Sequence, residues 1–79
     1  MNTIYEHWQR LEAMVMPPDA PPEQVQEMRR SFYAGARAVL RIQASFADDA
    51  MSDAAIVGIM VSIHDECQRF AESVLRGEA

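Results

Sequence analysis

Apolar residues in the first sixteen positions recur at Ile4, Trp8, Leu11 and Val15, spaced four, three and four apart. At about 100° per residue that spacing keeps them on one side of a helix. Thr3 precedes the run and Glu6 follows it by three residues, the arrangement of a capping box. A first helix is therefore expected over about positions 3–16. It cannot continue into Pro17-Pro18-Asp19-Ala20-Pro21-Pro22, because proline has no amide donor and drives the residue before it out of the helical region. Pro21 or Pro22 can start the next helix, with Glu23 in its first turn, where the helix dipole favours an acid.

From Val25 the apolar or small positions are Val25, Met28, Phe32, Gly35, Val39, Ile42 and Phe46, alternating three and four without a break. This is a heptad seam, and it predicts a second helix over about 22–46. Gly35 costs about 1 kcal/mol relative to alanine in a helix, which is tolerable where a neighbouring helix approaches closely. Ala47-Asp48-Asp49-Ala50-Met51 interrupts the pattern, and Ser52 with Asp53 forms an N-cap and first-turn acid. A third helix is expected over about 52–76, with a seam of Ile56, Met60, Ile63, Cys67, Phe70 and Val74 and a stop at Gly77. Two helices of similar length with a short connection predict an antiparallel hairpin. The fold expected is all-α, one domain over 1–79 with a short N-terminal helix packed on that hairpin.

A second row on the third helix, Val57, Val61, His64, Gln68, Ala71 and Leu75, lies about a quarter-turn from the seam. A hairpin partner and a three-turn first helix have little surface with which to cover both. The residual row predicts a homo-oligomer, most simply a two-fold dimer, with Val57, Val61, His64, Gln68 and Leu75 at the interface. His64 and Gln68 are polar interruptions of the kind that can set register. The competing arrangement is a monomer in which Trp8 and Leu11 lie over that row.

Composition narrows the chemistry. In 79 residues there is room for a small core only, and the lone Cys67 excludes an internal disulfide. The first ten residues carry charges and no apolar run, and the weakly charged stretch Ala54 to Ile63 is far too short for a membrane span. A cytoplasmic protein is expected. The formal net charge of -5 argues against general binding to nucleic-acid backbones.

All seven basic residues are arginines, and Arg30, Tyr33, Arg37 and Arg41 share the side of the second helix opposite its seam, with no acid between Met28 and Ala47. Guanidinium forks take phosphate or carboxylate oxygens two at a time, and a tyrosine among them offers a stacking surface for a base. The same residues could instead be solvated or paired with acids such as Asp65, Glu66 and Glu72. His64 and Cys67 stand three apart, but two further ligands for a metal are missing. No glycine-framed nucleophile or phosphate loop occurs, so neither catalysis nor a cofactor is expected. Asp65 with Arg69, Glu72 with Arg76 and Glu6 with Arg10 have the acid-first spacing of four that supports an exposed helix.

The stretch from Met16-Pro-Pro-Asp-Ala-Pro through Glu27-Met-Arg-Arg-Ser-Phe-Tyr-Ala-Gly-Ala36, about a quarter of the chain, resembles a pattern in small accessory proteins of phages and prophages. The resemblance implies a phage-encoded protein in the host cytoplasm and brings no catalytic residues with it. Such proteins often act against host defence. Two modes of action follow by analogy: sequestering a nucleotide-derived immune signal at an oligomer groove, or occluding a host defence protein such as a CRISPR complex. A structural or regulatory phage dimer is a third.

Overall fold

A computed structural model describes residues 2–79 and contains three helices, α1 (Ile4–Val15), α2 (Pro22–Asp48) and α3 (Asp53–Leu75). No strand occurs among the described residues, so the all-helical class read from the spacing holds. The chain divides into two compact units, Met1–Ala44 and Ser45–Ala79, with the boundary inside α2.

In the first unit, α1 starts where the capping box places it. Thr3 is extended (φ -116°, ψ 153°), and its Oγ1 accepts from the Glu6 amide. The same hydroxyl donates to Glu6 Oε1 at 2.9 Å, so the reciprocal bond closes between side chains rather than onto the Thr3 amide. The helix ends at Met16, whose amide still reaches the Glu12 carbonyl. α2 begins at Pro22, and the Pro21 carbonyl accepts from the Gln24 and Val25 amides. Proline thus sits at the first helical position, where its missing donor costs nothing.

Trp8 is the one buried side chain among the described residues, at 2% exposure. Its indole meets the Phe32 ring of α2 with centroids 5.8 Å apart, and Phe32 in turn stands edge-on to Tyr33 at 6.1 Å. Along α2, Val25, Met28, Phe32, Ala36 and Val39 are half-buried, whereas Gly35 and Ile42 are exposed. The covered stripe is therefore rotated towards Ala36 relative to the heptad seam. A Cβ added at Gly35 would meet nothing within 4 Å, so no close helix approach within the first unit explains this glycine.

The second unit opens with the end of α2 and a tight helix cap. The Met51 amide donates back to Phe46 and the Ala50 amide to Ala47, with Ala50 at φ 48°. These bonds form a Schellman motif with alanine at the left-handed position that usually falls to glycine. Ser52 then caps α3, its Oγ accepting from the Ala55 amide at 3.2 Å. A second Schellman motif ends α3: the Glu78 amide reaches Ser73, the Gly77 amide reaches Val74, and Gly77 takes φ 73°. On α3 itself, Ile56, Ile59, Met60 and Ile63 are half-buried, and every residue from His64 to Ala79 except Ser73 is exposed.

Candidate functional site

The arginine row lies on α2 in the first unit, where helix periodicity sets Arg30, Tyr33, Arg37 and Arg41 along one side. All three arginines are exposed and Tyr33 is half-buried. Arg30 is occupied: its Nη1 lies 3.0 Å from Glu27 Oε1, one turn earlier. Arg37 and Arg41 enter no ion pair among the described residues. The row therefore presents two unengaged guanidinium groups one turn apart, with a tyrosine ring one turn before them. Each fork carries five donors, and two at this spacing can meet successive oxygens of a phosphate group and its ester linkage.

Exposure keeps the three arginines hydrated, so an anion here must displace water and immobilise long side chains. An exposed pair with an anion is worth little by itself. Useful affinity needs both arginines together with a contact that excludes water, and the half-buried Tyr33 ring is the group placed to supply one.

Two open concavities lie elsewhere in the first unit. One of about 380 Å³ sits in the angle between α1 and α2, lined by Leu11, Glu27, Met28, Ser31 and Phe32. The other, of about 530 Å³, lies at the start of α2 and includes Ala20, Pro22 and Arg29. Neither is lined by a residue of the arginine row. Arg29 was not singled out by spacing, because it falls on the flank between the seam and the row.

The second-row residues of α3 are all exposed, with Val57 at 61%, Val61 at 53% and Leu75 at 88%. His64 and Gln68 between them are exposed too. Within the first unit, Trp8 is buried against Phe32. Exposure extends further than the second row. Cys67, Phe70 and Val74, read from the spacing as part of the covered seam, are exposed as well. Spacing alone could not separate the two halves of the seam, since both obey the same alternation.

His64 Nδ1 lies 3.9 Å from Asp65 Oδ1. No cluster of three or more His, Cys, Asp or Glu side chains suited to a metal ion occurs among the described residues. Arg76 reaches Glu78 with its Nε at 3.2 Å, and its Nη2 donates to Ser73 Oγ. That geometry replaces the expected Glu72 pairing, because the Gly77 turn folds Glu78 back beside the guanidinium. No helix among the described residues is long and apolar enough to cross a membrane.

No protein-family model, curated protein or solved structure matches this chain.

Proposed function

We propose that the protein is a non-catalytic binding protein whose ligand is a phosphate-bearing, nucleotide-derived small molecule held on the Arg37 and Arg41 side of α2. The observation that carries the reading is the pair of exposed guanidinium groups, one turn apart, without acidic partners among the described residues, beside Tyr33. Arg37 and Arg41 would take phosphate oxygens and Tyr33 would lie against the base. A mobile second messenger fits better than a nucleic-acid backbone. The chain carries a net charge of -5, and its attraction for an anion is confined to this stretch. Within the resemblance to phage accessory proteins, such binding would withdraw a defence signal in the host cytoplasm, with no bond made or broken.

Isothermal titration with cyclic dinucleotides and ADP-ribose-type nucleotides tests the reading. Saturable heat, with affinity weakened about tenfold or more by Arg37→Ala, is the expected result. No heat from any of these ligands, or the same affinity in Arg37→Ala and Arg41→Ala, overturns it. Co-purification of a host defence protein with a ligand-silent chain would favour occlusion of a protein target.

A further inference from the structure

We infer that the turn at Ala50 is a two-state hinge, which exchanges the observed bend for an uninterrupted helix from the end of α2 into α3, with Asp49 and Asp53 favouring the bend. The turn lies within the second unit, and the inference does not rest on the arginine row binding a ligand.

The seams on the two sides of the turn are in phase. Continued beyond Ile42, the alternation of α2 reads Phe46, Asp49, Asp53, Ile56, Met60 and Ile63, with no slip where the helix breaks. A heptad offers seven phases, so two helices joined by an arbitrary turn seldom agree. Gly and Pro are the usual residues of a turn that separates helices, yet neither occurs between Phe46 and Val57. The segment reads as one helix in which two successive seam positions are aspartates.

Several local terms oppose the bend. Ala50 takes φ 48°, a region that disfavours any side chain. The bonds that hold it there are long, with the Ala50 amide 3.3 Å from the Ala47 carbonyl and the Met51 amide 3.2 Å from that of Phe46. Asp48 and Asp49 stand at the carbonyl end of α2, whose last turn has no basic residue, and the helix dipole disfavours acids there. An uninterrupted helix has no terminus at this point, so these costs disappear.

Other terms favour the bend. Ser52 caps α3 and Asp53 complements its first turn. Asp49 and Asp53 are exposed to water, whereas a continuous helix sets both carboxylates in line with an apolar seam. Each term is local and small, so a partner that prefers one form shifts the balance.

Pulsed dipolar spectroscopy tests the inference, with nitroxides at Ala47→Cys and Gln68→Cys in a Cys67→Ser background. Dilution with unlabelled chain restricts the signal to distances within one molecule. A continuous helix from position 47 to position 68 rises about 32 Å, and a turn at Ala50 brings the two sites closer. The parent should show a shorter main distance and a minor component near that length. Asp49→Leu combined with Asp53→Leu should make the long component the larger one. Relative to the bent form, Ser52→Ala should raise it about fivefold, and Ala50→Gly should lower it about two- to fivefold. All four substitutions are at exposed positions, and helical circular dichroism should be retained. Absence of the long component from the parent or from the double variant overturns the inference, and so does a share that Ser52→Ala and Ala50→Gly leave unchanged.

Discussion

The Trp8 indole and the Phe32 ring meet at 5.8 Å with their planes inclined by 51°, and this tilted pair joins α1 to α2. Aromatic rings prefer such tilted or edge-on contacts, which add about 0.5–1.5 kcal/mol to the area they bury. With Trp8 the one buried side chain among the described residues, it is the main anchor of α1. Trp8→Ala should therefore cost about 3 kcal/mol or more. Thermal melting followed by circular dichroism should show Tm lower by roughly 10–20 °C. A Tm within two degrees of the parent would contradict the assignment.

The two helix ends predict opposite responses to exchange of alanine and glycine. Ala50 and Gly77 both occupy the left-handed region, at φ 48° and 73°. A side chain there costs about 1–2 kcal/mol, partly offset by the entropy that glycine loses on folding. Ala50→Gly should raise stability by about 0.5–1 kcal/mol, and Gly77→Ala should lower it by about as much. Urea midpoints of the two variants, compared with the parent, decide both signs.

Loss of the Ser52 hydroxyl removes the acceptor for the Ala55 amide. Ser52→Ala should cost about 1 kcal/mol, and hydrogen exchange at Ala55 should be faster. Ser52→Asp should retain most of the stability, because its carboxylate can accept the same bond and complements the helix dipole. Equal losses in both variants would show that the cap is unimportant here.

For the proposed ligand, the arginines should contribute unequally. Arg30 already holds Glu27 at 3.0 Å, so Arg30→Ala should change affinity by less than about threefold, an exposed pair being worth under 1 kcal/mol. Arg37→Ala and Arg41→Ala should each weaken binding about tenfold or more, the loss of a charge-assisted hydrogen bond. None of the three should shift Tm by more than a degree or two, since all are exposed. Titration calorimetry alongside melting separates these outcomes.

The starts and stops of the helices were legible because they are local events. Thr3 with Glu6, Pro22 after Pro21, Ser52 before Asp53 and Gly77 after Val74 each act within a turn of their own position, and the structure uses all four. The left-handed Ala50 was not legible. Alanine carries no preference for that region, and only the two returning hydrogen bonds from Ala50 and Met51 hold it there. The arginine row followed from periodicity, but the engagement of Arg30 by Glu27 and the freedom of Arg37 and Arg41 from ion pairs did not.

By itself the order of residues determined three helices, their caps and the side of each that carries apolar groups, since propensity, proline and capping operate over a few neighbouring residues. The tertiary structure decided which apolar group of α1 is buried, Trp8 against Phe32 of α2. A heptad pattern records that a helix side is apolar, whereas coverage depends on what else reaches that side, and this is set by packing between segments distant in sequence.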